Sequence, residues 1–290
     1  RTLVYGKACA VHVDPMEKKP LFHFLPGSPV FSIATAGCNL HCRFCQNWEI
    51  SQRPPEETEN YDLPPERVVA LARQNNCPAI AYTYNDPVVY FEYAFDTARL
   101  AREQGIRNVL VTAGYINETP LRELCAVVDA AHVDLKGDDD YYREVCSGTL
   151  APVQNAIRVM KEAGVWGEVI NLIVPTLNDS PEKIRSLARW IFDAVGPDVP
   201  LHFSRFHPIY RLKNLPPTPV ETLRRAHGIA REAGLRYVYL GNVPGLEEEN
   251  TFCPKCGKLL IERKAYFIGE KRLRDGNCAY CGEKIAGVWK

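Results

Sequence analysis

Apolar residues along this chain come in short runs, separated by stretches where they recur every three or four positions. Those are the two periods expected of buried strands and of the helices that cover them. The runs fall at Val30–Thr35, Ala79–Thr83, Asn108–Thr112, Ala131–Leu135, Glu168–Val174, Leu201–Phe206 and Tyr237–Gly241. Helical spacing lies between them, near Glu66–Gln74, Val88–Gln104, Leu121–Val128, Val153–Ala163, Glu182–Ala194 and Glu221–Ala233. Alternation of this kind from about residue 30 to 245 predicts an α/β fold on a parallel sheet, open or rolled into a barrel. Helix starts are marked by proline. Thr218-Pro219-x-Glu221 predicts a capping box with Pro at the first helical position, and Ser180-Pro181 and Thr119-Pro120 follow the same Pro rule. In such folds chemistry sits just past the carboxyl ends of the strands.

Gln52 to Pro65 reads as a long surface loop, and Leu246–Asn250, with three consecutive glutamates, as a linker. Beyond it the composition turns to Cys, Lys and Gly, with no room for another strand–helix unit. The expected division is an N-terminal extension over 1–29, an α/β unit over 30–245, and a linker with a small four-cysteine module over 246–290. The chain has 290 residues, with 35 Lys+Arg against 35 Asp+Glu, so its formal charge is zero. That balance argues against a broad basic surface for nucleic acid and against a polybasic membrane anchor. No apolar run is long enough to predict a membrane-spanning helix. Arg1 to Lys7 lack the layout of a signal peptide, and the missing initiator Met predicts a trimmed chain. The expected location is the cytoplasm.

Cysteine is the anomaly. Of eleven, seven fall in two tight groups: Cys38, Cys42 and Cys45, and Cys253, Cys256, Cys278 and Cys281. Gaps of two and three residues strain a disulfide but converge easily on a metal, which also points to a reducing compartment. The first group, with spacing C-x3-C-x2-C, follows the first strong strand. Three thiolates can hold three irons of a [4Fe–4S] cube, whereas a closed cluster takes four, so one iron is expected to stay open to a small ligand. A closed cluster completed by a distant cysteine, or a zinc site, is the plain alternative.

The C-x3-C-x2-C loop, with Phe44 just before its last cysteine, resembles the radical SAM (S-adenosylmethionine) superfamily. The resemblance implies that the methionyl amino and carboxylate groups of SAM chelate the open iron. One-electron cleavage of the sulfonium then yields a 5′-deoxyadenosyl radical, and Phe44 lies against the adenine. Where that superfamily carries a glycine-rich turn for the SAM amino group, this chain has Tyr82-Thr83-Tyr84-Asn85-Asp86-Pro87, which places Asn85 and Asp86 at the cofactor. The local reading of Asp86 is a helix N-cap with Pro87 behind it. Asp134-Leu135-Lys136 resembles the Asp-Leu-Lys of glycyl-radical-enzyme activases, where the aspartate helps hold SAM; a structural Asp134–Lys136 ion pair is the alternative. By the same resemblance Val174 touches the adenine and His207 lies near the ribose. Cys146 either faces the substrate or ends a helix, and Cys125 reads as core.

The tail pairs Cys253-x2-Cys256-Gly with Cys278-x2-Cys281-Gly, the spacing of two knuckles closing a tetrahedral structural zinc site; a rubredoxin-type iron site has the same ligands. Further strings carry a narrower resemblance: Leu21-Phe22-His23-Phe24-Leu25-Pro26-Gly27, Gln46-Asn47-Trp48-Glu49-Ile50-Ser51, Ser204-Arg205-Phe206-His207-Pro208 and Gly287-Val288-Trp289. They are similar to the radical SAM component of the AmmeMemoRadiSam system, a relative of pyruvate formate-lyase activating enzyme. The fold this implies is a partial (β/α)6-type barrel with a zinc-ribbon-like tail. The implied cofactors are a [4Fe–4S] cluster, SAM and Zn2+. The implied partners are an electron donor of flavodoxin or ferredoxin type and Memo-type and AMMECR-type proteins. Hydrogen abstraction is the expected reaction, from a substrate that the sequence does not identify, a residue of a protein or peptide being one candidate. A glycyl-radical activase, and an electron carrier or metal-stabilised binding protein with a cluster saturated by four cysteines, are the competing readings.

Overall fold

The computed structural model describes residues 2–290. Its main sheet has eight strands: β1 (Ala10–Pro15), β2 (Pro29–Ala34), β3 (Ala79–Tyr82), β4 (Arg107–Thr112), β5 (Ala130–Asp134), β6 (Trp166–Ile173), β7 (Leu201–Arg205) and β8 (Val238–Gly241). They lie side by side in chain order; β2 to β8 are parallel, and β1 joins the edge antiparallel to β2. The helices α1 (Pro65–Gln74), α2 (Phe91–Glu103), α3 (Glu118–Cys125), α4 (Leu150–Glu162), α5 (Pro181–Val195) and α6 (Val220–Glu232) fill the crossovers. The result is an α/β partial barrel. The expected strands and helices all appear, with ends moved by a few residues.

Two start signals read differently in space. The hydroxyl of Thr218 does not cap α6; it donates to Ile173 O at 2.6 Å and accepts from Phe206 N at 3.0 Å, so the expected capping box is absent. Helix α3 begins at Glu118, two residues before Pro120, because the chain turns in at Asn117. Ser180 does cap α5, accepting from Lys183 N ahead of Pro181. Strand β1 escaped the hydrophobic pattern because the sheet face it presents carries Asp14, which pairs with Lys18 and Lys19, rather than an apolar side chain.

A partial barrel leaves an interior that its own strands do not fill. Here Met16, Leu21, Phe24 and Leu25 enter it and pack on Val30, Ala79, Ala81, Val109 and Ala130. The alanines on β3 and β5 are the space those side chains occupy. The entering segment is fixed by Glu168 of β6, whose carboxylate is fully buried. It accepts from Phe22 N (3.0 Å), His23 N (2.7 Å), Trp166 Nε1 (3.1 Å) and His202 Nε2 (2.7 Å). Burial alone would raise its pKa, but the His202 hydrogen bond and the surrounding donors hold it below the ordinary carboxylate range.

The tail forms its own small sheet from β9 (Thr251–Phe252), β10 (Leu259–Lys264) and β11 (Phe267–Lys271). Its apolar side, with Leu260, Ile261 and Ile285, shares a core with Phe22, Tyr237 and Tyr239 of the barrel. Buried Arg263 of β10 donates to Phe22 O at 2.8 Å and lies 4.1 Å over the Phe22 ring. Val288 exchanges backbone hydrogen bonds with His23 and Leu25. Within 246–250, Glu249 is buried rather than solvated.

Replacing Glu168 with Ala strands four buried donors. The loss of a buried, paired charge is expected to cost about 3–5 kcal/mol in urea unfolding. A loss below about 1 kcal/mol, the scale of a surface pair, would show that Glu168 does not fix the N-terminal segment.

Candidate functional site

The carboxyl ends of the parallel strands open on a cavity of about 560 Å³. The loop after β2 carries Cys38, Cys42 and Cys45, all on its wall. That loop is held from several sides. His41 N donates to Cys146 O at 3.0 Å, Arg43 N to Val145 O at 2.9 Å and Gly37 N to Ile50 O at 2.9 Å. Asn39 Nδ2 reaches Tyr115 O at 2.7 Å, and Gln52 Nε2 reaches Leu40 O at 3.0 Å. Ser51, on the short helical turn Trp48–Ser51, puts its hydroxyl 3.1 Å from Cys45 Sγ.

Burial pushes the Cys38 thiol up to about 12 and raises Cys45 as well. Cys42 is raised by its side-chain contact with Cys146 and then by burial. Cys42 is buried and Cys38 and Cys45 are half-buried, and a bound cation would stabilise their thiolates. Cys146 ends the turn after β5, fully buried behind Cys42 and off the cavity wall.

The turn after β3 joins this loop through Asn85, whose Nδ2 donates to Thr35 O (2.5 Å) and Gly37 O (2.6 Å). Its buried Oδ1 has no hydrogen-bond partner. Asn85 as a residue lines the cavity beside the cysteine loop. Asp86 behaves otherwise. It caps Val88 N at 3.1 Å and also accepts from Thr112 Oγ1 at 3.0 Å and Ala113 N at 2.8 Å. It ties the ends of β3 and β4 together and lines the cavity as it does so.

At the end of β5, Asp134 bridges Lys136 Nζ (2.7 Å) and His132 Nε2 (2.9 Å). Burial would raise Asp134, but the Lys136 charge and the His132 hydrogen bond carry it well below the carboxylate range. His132 Nδ1 lies 2.8 Å from Lys19 O. His132 thus spans Lys19 O and the Asp134 carboxylate with its two ring nitrogens. Lys136 Nζ sits 5.6 Å over the Phe44 ring.

Of the residues singled out from sequence, Cys38, Cys42, Cys45, Phe44, Asn85, Asp86, Asp134 and Lys136 line the one cavity. Val174 and His207 do not: Val174 is fully buried in the helix-side core and His207 is exposed. Sequence reasoning missed His132, His202, Glu17, Lys19 and Tyr266, which also line it. The inward alternation His132, Asp134, Lys136 was a readable signal. Glu17, Lys19 and Tyr266 arrive from the plug segment and the β10–β11 turn, and no local pattern announces them.

The four tail cysteines converge, their sulfurs all within 4.8 Å of one another. Cys253 and Cys281 are 3.6 Å apart, Cys256 and Cys278 3.7 Å. In each knuckle the glycine amide turns back to the first cysteine: Gly257 N to Cys253 O and Gly282 N to Cys278 O, both glycines at positive φ. That backbone fold is one L side chains rarely adopt.

The Radical SAM superfamily profile matches residues 32–191. The uncharacterized protein MJ0808 of Methanocaldococcus jannaschii is 50% identical over 97% of this chain and 84% of its own length. A pyruvate formate-lyase-activating enzyme of Clostridium pasteurianum is 27% identical over 53% of this chain and 66% of its own. Among solved structures, Streptococcus suis SuiB bound to S-adenosylmethionine superposes with a TM-score of 0.58 at 13% identity, covering 82% of this chain and 56% of that one. The same protein bound to precursor peptide SuiA gives 0.57 at 15% identity, over 77% and 50%. At these identities the structural likeness is one of fold.

The tail geometry makes a direct prediction. Purified chain should carry a tightly held divalent metal that Cys256→Ser/Cys281→Ser lacks, with a lower unfolding temperature in the variant. Elemental analysis reads it; equal metal content in both proteins would contradict a four-thiolate site.

Proposed function

The chain belongs to the radical SAM superfamily, and from that premise we propose that it is the radical SAM enzyme of an AmmeMemoRadiSam-type system, acting on a residue of a protein or peptide. Membership brings an enzyme with radical SAM chemistry, and with it a [4Fe–4S] cluster and SAM. The chemistry they supply is one-electron cleavage of the sulfonium to a 5′-deoxyadenosyl radical, which takes hydrogen from a substrate.

In this reading Cys38, Cys42 and Cys45 hold the cluster and leave one iron for SAM. Asn85 forms part of the wall beside the methionyl group, its amide holding the cysteine loop through Thr35 O and Gly37 O, while Asp86 keeps the two strand ends in register behind it. Asp134, fixed by Lys136 and His132, presents a carboxylate to the cofactor, and Phe44 gives an apolar face. The observation that carries the proposal is the convergence of Cys38, Cys42 and Cys45 with Phe44, Asn85, Asp86, Asp134 and Lys136 on one cavity.

Support for the subfamily comes from the strings that resemble it. Leu21–Gly27 and Gly287–Trp289, far apart in sequence, pack on one another through the Phe24–Val288 bridge. The same system suggests Memo-type and AMMECR-type proteins as partners. SuiB, of like fold, is solved with a precursor peptide, which favours a peptide substrate here. The relative among pyruvate formate-lyase-activating enzymes, with the Asp134-Leu135-Lys136 string at the cavity, favours glycyl-radical activation as the second reading. The tail is assigned a structural zinc, in a three-part chain divided near residues 30 and 246. Thiol richness fits the cytoplasm.

Anaerobically reconstituted and reduced protein should convert SAM to 5′-deoxyadenosine, and Cys42→Ala should not. Wild-type protein with an intact reduced cluster and no 5′-deoxyadenosine would contradict the proposal and favour an electron carrier.

A further inference from the structure

The hydroxyl of Ser51 has a direction, and its neighbours set it. Gln52 Nε2 donates to Leu40 O at 3.0 Å and to Ser51 Oγ at 3.2 Å. Leu40 O can only accept, which fixes the amide with its nitrogen toward the loop and spends one N–H on each oxygen. Ser51 Oγ is thus an acceptor toward Gln52, and its own proton is left for Cys45 Sγ, 3.1 Å away. A metal-bound thiolate carries no proton, so in that pair Ser51 is the donor. The Ser51 backbone is held as well, its N–H donating to Asn47 O at 2.9 Å. The three sulfurs of the loop are not treated alike. Cys38 Sγ accepts from Leu40 N at 3.5 Å, Cys45 also meets the Asn47 amide, and Cys42 meets the Cys146 thiol, a weak donor. Among the described residues Ser51 brings the one hydroxyl that bonds any of them. It is 3% exposed, so bulk water does not compete for the bond.

We propose that Ser51, its proton directed by Gln52, donates to the Cys45 thiolate in the loaded protein and raises the reduction potential of the cluster. This rests on the cluster assignment above and adds a positioning residue that acts through Cys45. Hydrogen bonds to the sulfurs are among the factors that set such potentials. Reduction adds one electron, and part of the added charge falls on the cysteine sulfurs. A more negative sulfur is a better acceptor, so the Ser51 bond is stronger in the reduced state and favours it. No bond is made or broken in that step, and the Ser51 proton stays on its oxygen.

The test is the midpoint potential of the reconstituted whole chain, measured by mediated spectroelectrochemistry with the electrode supplying the electron. At a fixed potential Ser51→Ala should hold about three- to tenfold less reduced cluster than the wild type, tenfold being ~59 mV for one electron. Ser51→Thr, which keeps a hydroxyl, should stay closer to the wild type than to Ser51→Ala. Gln52→Leu, which frees the hydroxyl to turn away, should shift in the same direction as Ser51→Ala, by less. After exchange into D2O, deuterium ENDOR of the reduced cluster should show one coupling fewer in Ser51→Ala than in the wild type. A merely structural Ser51 would change how much iron the chain retains and leave the potential of the loaded fraction unmoved; that result overturns the proposal. So does a Thr variant shifted as far as the Ala variant. If Ser51→Ala takes up no cluster, Gln52→Leu decides, since it leaves Ser51 in place, and a wild-type potential there overturns the proposal. A loaded, reducible wild type with unmoved variants leaves the cluster assignment standing, whereas a wild type that takes up no four-iron cluster overturns both.

Discussion

Glu168 is the point on which the architecture turns. The eight-stranded sheet is left open between β1 and β8, and side chains from residues 16–25 of the same chain pack into its interior. Placing that segment inside buries backbone N–H groups that would otherwise face water. Glu168 accepts two of them, along with the Trp166 indole and His202, and stays ionised because those donors surround it. The tail then closes over the outer side of the same segment, Arg263 taking Phe22 O and Val288 pairing with His23. One buried carboxylate thus fixes the segment that divides the barrel interior into a packed floor and an open cavity.

Above that floor the site is a set of charges arranged to be compensated. Lys19 lies against Asp14, burial drawing its pKa down to about 8 while the Asp14 hydrogen bond and charge pull the other way. Asp134 is shared between Lys136 and His132. The cysteine loop is the exception: one of its thiols is buried and two are half-buried, and burial together with the Cys42–Cys146 contact raises their pKa values. Metal binding is the natural completion of such a loop, and the cavity it faces is large enough for a cofactor as well as part of a substrate.

Much of this was legible in the sequence. Seven parallel strands and six helices follow from apolar runs and helical spacing, and both cysteine groups from their gaps. The failures have physical causes. Thr218 looked like a cap because its neighbours fit a capping box, yet its hydroxyl is used in a tertiary contact with Ile173 and Phe206. Strand β1 turns Asp14 inward, which no hydrophobic pattern reports. Glu17, Lys19 and Tyr266 reach the cavity only because distant segments fold back upon it. Asp86, read from sequence as either a cap or a cofactor residue, caps Val88 and also faces the cavity.

Everything functional in this account depends on one of four irons lacking a protein ligand. The most direct measurement is Mössbauer spectroscopy of the ⁵⁷Fe-reconstituted protein, with and without SAM. A three-cysteine cluster predicts that SAM shifts the signal of one iron site in four, as that iron gains nitrogen and oxygen ligands. Four iron sites unchanged by saturating SAM would mean that a fourth protein ligand closes the cluster, and would contradict the account.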